Sequence, residues 1–116
     1  MSESISSRDR QILEKILRRI ESVMKYTHRY ETLEEFKADK MCVEACVFNL
    51  LQIGELAKVA LSDEVKDRIS TVQWKRIYSV KERITIEDAH INKDAVWEVA
   101  TEKLPILMTE IKNSLK

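Results

Sequence analysis

Glycine and proline are almost absent from this chain, which contains one of each in 116 residues. Proteins on average use about 7% glycine and about 5% proline, and folds built from strands and tight turns depend on these residues for their turn conformations. The sequence therefore predicts an all-α protein. A chain of this length is expected to form a single domain over residues 1–116 and to bury a core without disulfides or metal ions.

Hydrophobic periodicity predicts four long helices with short connections, a pattern typical of an up-and-down four-helix bundle. Polar residues that cap helix N-termini mark several of the starting points. The first predicted helix runs from a cap at Ser6 or Ser7 to about His28, and the second runs from a cap at Asp39 to about Leu61. The third begins after Ser70 or Thr71, and the fourth begins at a cap at Asn92.

Two short helices and two interruptions complete this prediction. A capping-box pattern at Thr32 begins one short helix, with Phe36 as its core anchor, and Ser62 caps the other. Gly54 falls inside the second long helix, where glycine costs about 1 kcal/mol relative to alanine. Close approach of a neighbouring helix backbone is the simplest compensation. Pro105 falls inside the fourth long helix and is expected to kink it.

The charges balance, with 20 acidic and 20 basic residues. A general DNA or membrane binder normally has a basic excess, so the balance argues against both classes while leaving room for a local basic cleft.

The two cysteines, Cys42 and Cys46, lie four positions apart in a helical stretch. That spacing separates their Cβ atoms by about 6 Å, whereas a disulfide needs about 3.8 Å, so both are predicted to be free and buried. The sequence contains neither a signal-peptide pattern nor an apolar run near 18 residues, which predicts a cytoplasmic protein without a membrane segment.

Several fragments occur in an order and spacing that resemble the HepT-like family, a branch of the HEPN nucleic-acid-processing proteins. These are Phe36, Asn49 to Ala57 (NLLQIGELA), Trp74-Lys75, Ile91-Asn92, Val96-Trp97-Glu98 and Leu104-Pro105. The resemblance implies a HEPN-type four-helix bundle that forms a homodimer. It also implies a metal-independent endoribonuclease toxin without a cofactor. The partner it implies is a minimal nucleotidyltransferase antitoxin, which neutralises the toxin by attaching nucleotides to a tyrosine.

The residues that carry this chemistry in the family, Arg-x4-His-x-Tyr, are replaced in this chain. Counted from Trp74, the Arg position falls on Lys81, the His position on Ile86 and the Tyr position on Asp88, and Trp97 follows in register. Histidine suits proton transfer near neutral pH, whereas isoleucine carries no proton. Lysine replaces a two-pronged guanidinium contact only with a point charge. The pattern predicts impaired ribonuclease chemistry and no tyrosine switch.

Arg83 and His90 offer a second assignment of the catalytic pair. Six residues separate them, which fits the looser Arg-x(4–6)-His pattern of the wider HEPN group. Seven positions are about two helical turns, so the two side chains would share a face if the helix continued through the segment. The alternative interpretation is a surface arginine and a histidine near a helix cap.

Four basic side chains are predicted on the third helix: Lys75, Arg76, Lys81 and Arg83. Two such helices facing each other across a dimer axis would line a basic cleft for RNA, with Tyr78 available to stack a base. Ordinary surface charge and a half-buried tyrosine are the alternative.

Acidic residues follow the third helix. Glu87, Asp88 and Asp94 lie close to His90 in the sequence, and carboxylates can hold a divalent cation. A solvated loop with helix-start charges explains the same residues, so no metal site is predicted. Glu87 and Asp88 remain candidates for a binding surface shared with Lys81, Arg83 and His90.

Two classes of function remain after these arguments. One is a HepT-like endoribonuclease toxin whose site is altered or relocated. The other is a homodimeric binding module without catalysis, which partners a minimal nucleotidyltransferase or binds RNA without cutting it.

Overall fold

The computed structural model describes residues 4–86 and 90–116, most of which are helical. The helices are α1 (Ser7–Thr27), α2 (Leu33–Ala38), α3 (Lys40–Glu55), α4 (Asp63–Arg68), α5 (Trp74–Tyr78), α6 (Val80–Ile84), α7 (Lys93–Glu98) and α8 (Leu104–Ser114). Two π-helical turns, Leu56–Ala60 and Val99–Lys103, extend α3 and join α7 to α8. The all-α prediction is confirmed. In this described part of the chain, no helix has the length and apolar character needed to cross a membrane.

Four helical rods enclose the core: α1, α3 with its π turn, α5 with α6, and α7 joined to α8. The predicted four-helix bundle with short extra helices is therefore confirmed. Its most deeply buried large side chains are Leu13, Ile16, Ile20, Phe36, Leu50, Ile84 and Ile111. Phe36 anchors the short helix α2 in this core, as predicted, and packs against the ring of Trp97 with 5.1 Å between centroids.

Side chains at the predicted N-caps accept hydrogen bonds from the amides of the first helical turns, which have no partner within the helix. The bonds are accepted by Ser6 from the Asp9 amide (3.1 Å), Thr32 from Glu35 (3.2 Å), Asp39 from Cys42 (3.1 Å), Ser62 from Val65 (3.2 Å) and Asn92 from Ala95 (3.0 Å). The Glu35 carboxylate also accepts from the Thr32 amide (3.2 Å), which completes the capping box. These cap predictions are confirmed.

The third rod differs from its prediction. It begins at Trp74 rather than directly after Ser70 or Thr71, and it is divided at Ser79 into α5 and α6. The Ser79 hydroxyl donates to the Lys75 carbonyl at 2.8 Å, and the Ser79 backbone leaves the helical conformation (φ −97°, ψ 19°). A serine that bonds back to a carbonyl one turn earlier commonly bends a helix, and this accounts for the break.

The fourth rod contains a wider π turn just before Pro105. The π turn places the Leu104 amide on the Val99 carbonyl, and Pro105 then occupies the first turn of α8. Proline is tolerated there because first-turn amides have no helical partner. Pro105 therefore lies in the first turn of α8 after a π turn rather than in the middle of a regular helix, and the predicted kink stays a prediction.

Gly54 lies where α3 contacts the third rod. A Cβ atom at this position would lie 3.0 Å from the Ile77 carbonyl oxygen and 3.0 Å from Cγ1 of Val80. The predicted close approach of a neighbouring helix backbone is confirmed, and it explains why the chain tolerates a glycine inside a helix.

Both cysteines are free and buried, as predicted. Burial, together with the neighbouring Cys42, raises the pKa of the Cys46 thiol to about 12. A thiol with so high a pKa contains little thiolate at neutral pH, which makes Cys46 a packing residue rather than a nucleophile.

Asp9 joins the start of α1 to the start of α4. Its side chain is 5% exposed and accepts hydrogen bonds from the Ser62 amide (3.0 Å), the Ser62 hydroxyl (2.6 Å) and the Ser6 hydroxyl (3.2 Å). Burial acts to raise the pKa of Asp9, but these hydrogen bonds and the nearby Arg8 outweigh it, so the pKa is lowered. The bonds between Asp9 and Ser62 join residues 53 positions apart and were not predicted from the sequence.

Asp9→Asn is expected to lower the free energy of unfolding by about 1–3 kcal/mol near neutral pH, because the charged acceptor of three hydrogen bonds is lost. The folded-state pKa lies below the unfolded value of about 3.9, so this stabilisation is present above about pH 4 and disappears as the pH falls. Urea unfolding at neutral and acidic pH measures both effects. The exposed Asp67→Asn is the control, and an equal loss in the two variants would contradict the assignment.

Candidate functional site

The candidate site is built around the end of α6. Val80 and Ile84 are buried and fix α6 against α3, so the intervening Lys81 and Arg83 are directed outward and are exposed. The helix ends at Ile84, and Thr85 adopts an extended conformation (φ −113°, ψ 135°). The two ends of the following segment are held together by a pairing of Thr85 with Ile91.

Backbone hydrogen bonds hold this pairing in place. The Ile86 amide donates to the His90 carbonyl at 2.6 Å, and the Asn92 amide donates to the Ile84 carbonyl at 2.8 Å. The register counted from Trp74 predicts that Ile86 occupies the family's histidine position, and this residue is 52% exposed. On that register, an apolar side chain faces solvent where the family has its proton carrier. Glu87 and Asp88, both predicted binding residues, lie outside the described residues.

Arg83 is bound to a carboxylate. One of its terminal nitrogens lies 2.5 Å from Oε1 of Glu98 on α7, and the two side chains are 43% and 44% exposed. A pair this exposed contributes about 0–1 kcal/mol to stability. Its relevance is to the site, because a phosphate that approached Arg83 would have to compete with Glu98.

The Arg83–His90 hypothesis required a helix that continues through the segment. Since α6 ends at Ile84, the two residues do not lie two turns apart on one helical face, and this premise was wrong. His90 is exposed, and its backbone carbonyl takes part in the pairing described above. The role of the pair in catalysis stays a prediction.

The other predicted basic residues lie at the start of the third rod, on α5. Lys75 and Arg76 are exposed on α5, and Tyr78 is half-buried, with the Lys66 ammonium 4.8 Å from its ring centre. The Trp74 indole N–H donates to the carbonyls of Lys66 (3.1 Å) and Ile69 (3.3 Å). These two hydrogen bonds make Trp74 a packing anchor.

An apolar groove of about 260 Å³ lies between α3, the third rod and α8. Hydrophobic side chains of α3, α5, α6 and α8 form most of its walls, and the charged side chains beside them are Arg76, Arg83, Lys103 and Glu110. Ile106 lies on the groove and is 60% exposed. The sequence reasoning did not identify Lys103, Ile106 or Glu110. One available signal was that Ile106 does not fit the buried 3–4 spacing of Leu104, Leu107 and Ile111.

Among residues 4–86 and 90–116, no three candidate metal ligands come together. Asp94 instead pairs with Lys37 on α2, with 3.0 Å between Nζ and Oδ1. The hydrogen bond from Lys37 to Asp94 raises the pKa of Lys37.

A family model described as "Ribonuclease HepT-like" matches residues 16–114. The chain belongs to the HepT-like ribonuclease family. The resemblance drawn from the sequence fragments is thereby confirmed, whereas the roles of individual site residues stay predictions.

Two curated relatives are similar to this HepT-like chain. "Putative RNase TTE0752" from Caldanaerobacter subterraneus subsp. tengcongensis is 29% identical over 85 residues, which cover 73% of this chain and 75% of the relative. "Putative RNase MJ0127" from Methanocaldococcus jannaschii is 26% identical over 107 residues, which cover 92% of this chain and 87% of the relative. No solved structure matches the chain significantly.

Proposed function

We propose that this chain is the HepT-like member of a toxin–antitoxin type pair and that its metal-independent endoribonuclease chemistry is impaired. The observation that carries the proposal is Ile86, which is 52% exposed at the family's histidine position. Membership of the ribonuclease family and the names of the two relatives support RNA as the polymer with which the protein interacts.

Proton transfer is the step that fails in this proposal. Attack of an RNA 2′-hydroxyl on the adjacent phosphate needs a base close to the hydroxyl, and histidine serves because its pKa lies near neutral pH. The alkyl side chain of Ile86 cannot accept a proton. Lys81, exposed on α6, attracts a phosphate without the planar two-donor geometry of arginine. The site thus holds cations for binding but lacks the group that moves a proton.

The proposed partners are a second copy of the chain, RNA and a minimal nucleotidyltransferase. A homodimer would place two copies of the third rod near each other, and Lys75, Arg76 and Lys81 would line a cleft for RNA, with Tyr78 at its wall. The exposed Ile106 and the apolar groove supply surface that a second copy would cover. A minimal nucleotidyltransferase is the proposed antitoxin, encoded by a neighbouring reading frame.

A non-catalytic binding module is the second candidate, and the ion pair between Arg83 and Glu98 favours it. If Arg83 serves to hold α6 against α7, no arginine of α6 is available to a phosphate. Induced expression of the chain without a partner separates the two candidates. Growth arrest supports residual toxin activity, and normal growth supports the module.

Back-substitution tests the proposed function. Ile86→His/Asp88→Tyr is expected to cut RNA in the presence of a chelator about 10²-fold faster than the unaltered protein or more, because a general base typically contributes about 10²–10⁴-fold. The gained rate should rise through a pH near 6.5, the ordinary pKa of histidine. The measurement is the initial rate of cleavage of a labelled RNA.

Val59→His is the control, since it places an imidazole on another exposed β-branched side chain away from the groove. A rate gain confined to the Ile86 variant supports the proposal. A folded Ile86→His/Asp88→Tyr protein that cuts no faster than the Val59→His control would contradict the assignment of the histidine position to residue 86.

A further inference from the structure

A row of cations runs along the solvent side of α1, away from the candidate site. It consists of Arg8, Lys15, Arg18, Arg19 and Lys25, here called the α1 ridge. With 3.6 residues per turn, these positions fall within about one-third of the helix circumference. Arg19 is half-buried, and the other four residues are exposed. The exposed carboxylates of α1, Glu14 and Glu21, border the ridge, four positions before Arg18 and Lys25, but among the described residues neither lies within ion-pair distance of a ridge cation.

The middle of the α1 ridge borders an open polar depression of about 410 Å³. Its lining residues come from α1, from α3 and from the π turn that follows α3, and they are Lys15, Arg18, Arg19, Ser22, Gln52 and Leu56. Three are cations and none is a carboxylate. Of the two ion pairs found among residues 4–86 and 90–116, neither involves the ridge. The depression therefore has three cationic side chains on its walls, and among the described residues none of the three is in an ion pair.

Arg19 is held in position before any ligand arrives. One guanidinium nitrogen donates to Oδ1 of Asn49 at 3.3 Å, and Asn49 is itself fixed by donating to the Ala45 carbonyl at 2.8 Å. The guanidinium also lies 5.3 Å from the ring centre of Phe48. A guanidinium fixed in this way loses little conformational entropy when it binds an anion, because its five donors already have a defined direction.

The α1 ridge is separate from the candidate site described above. The groove beside Arg83 is lined by Leu50 and Ile53 of α3, whereas the depression beside the α1 ridge is lined by Gln52 and by Leu56, the first residue of the π turn. Although Ile53 and Leu56 are one turn apart, the two sets of lining residues have no member in common.

The geometry points to a second nucleic-acid surface, on which the α1 ridge binds the phosphate backbone of single-stranded RNA and Arg19 contacts one phosphate in the depression. Arg8 to Lys25 span 17 helical steps, which is about 26 Å at about 1.5 Å per residue. A polymer carrying a phosphate every few ångströms can use that whole length, whereas a free nucleotide would occupy only the depression. Phe48, which is 55% exposed beside Arg19, offers aromatic surface to a base.

This inference rests on the proposed function for the choice of RNA, but its test does not depend on catalysis. The probe is a fluorescein-labelled 2′-O-methyl oligoribonucleotide of about 15 nucleotides, which lacks the attacking hydroxyl and cannot be cut by that route. Fluorescence anisotropy gives the dissociation constant over a range of salt concentrations. The unaltered protein is compared with Lys15→Gln/Arg18→Gln/Arg19→Gln. A matched control, Lys40→Gln/Lys112→Gln/Lys116→Gln, removes three exposed cations elsewhere.

We expect the ridge variant to bind the probe at least about tenfold more weakly than the control variant. The slope of log K against log salt should fall by about 2, because each contact to a single strand contributes about 0.7. The single substitution Arg18→Glu, at an exposed position, leaves the contacts of Arg19 with Asn49 and Phe48 in place and should also weaken binding. This variant provides the test if the triple variant does not fold.

Three results would overturn the inference: equal binding by the ridge and control variants, binding by the unaltered protein to phosphatidylserine vesicles but not to the probe, or loss of binding only in Lys81→Gln/Arg83→Gln. The last result would leave the proposed function standing, because RNA would then bind at the candidate site alone. The proposed function can also fail while the inference stands, because cleavage by the Ile86→His/Asp88→Tyr protein is measured independently of the ridge.

Discussion

Phe36→Ala is expected to lower the free energy of unfolding by about 3–5 kcal/mol, the range observed when a buried phenylalanine is truncated. Phe36 is fully buried, and its ring contacts Trp97 at 5.1 Å and Tyr30 at 6.0 Å between centroids. The substitution removes the only fully buried side chain of the six-residue helix α2, which is too short to be stable without tertiary packing.

Phe48→Ala is the matched control, because Phe48 is a second phenylalanine of the same chain that is 55% exposed. Its truncation should cost less than about 1 kcal/mol, since little apolar surface is removed from contact with the core. Denaturant unfolding of both variants at one protein concentration measures the difference. Similar losses in the two proteins would contradict the position of Phe36 in the core.

Gly54→Val is the second change with a large expected effect, a loss of about 2–4 kcal/mol in the free energy of unfolding. The new Cβ alone would lie 3.0 Å from the Ile77 carbonyl oxygen and 3.0 Å from Cγ1 of Val80, and the two methyl groups of valine add further overlap. Overpacking of this kind typically costs about 1–3 kcal/mol and sometimes more. Helix propensity favours valine over glycine by a few tenths of a kcal/mol, so a loss of stability must come from the contact.

Glu55→Val controls for the propensity of valine in α3, since Glu55 is the next residue and is exposed. The control should change the free energy of unfolding by less than about 0.5 kcal/mol. A Gly54→Val protein as stable as the Glu55→Val protein would show that the third rod does not approach α3 as closely as described. Because that rod carries Lys75, Arg76 and Lys81, its position also determines where those cations lie.

Local side-chain chemistry explains which parts of the fold the sequence predicted. Thr32, Asp39, Ser62 and Asn92 were identifiable because an N-cap needs only a short polar side chain at a fixed distance from its amide. Gly54 was identifiable because glycine inside a helix requires a compensating contact. In both cases the determining interaction lies within a turn of helix or follows from a single unusual residue.

Features that depend on tertiary packing were not predictable in the same way. The third rod breaks at Ser79, and serine is a residue that many helices tolerate. The π turn at Val99–Lys103 contains no residue that would distinguish it from an ordinary helical turn. The ion pair between Arg83 and Glu98 joins residues 15 positions apart and exists only because the pairing of Thr85 with Ile91 brings α7 back beside α6. The premise that Arg83 and His90 share a helical face was wrong because α6 ends at Ile84.

The chain belongs to the HepT-like ribonuclease family and folds as an all-α bundle. The proposal that its chemistry is impaired depends on the register counted from Trp74, which assigns the exposed Ile86 to the histidine position and Asp88 to the tyrosine position. The two proposed losses are mutually consistent, because a protein that does not cut RNA needs no tyrosine by which it is silenced.

Cleavage of RNA by the unaltered protein in the presence of a chelator tests the proposed impairment most directly. The measurement is the initial rate of product formation from a labelled RNA, compared with a reaction that contains no protein and with the His90→Ala variant. We expect no cleavage above the protein-free reaction, and no difference between the unaltered protein and His90→Ala. Rapid multiple-turnover cleavage by the unaltered protein that disappears in His90→Ala would contradict the account and would assign the proton transfer to His90.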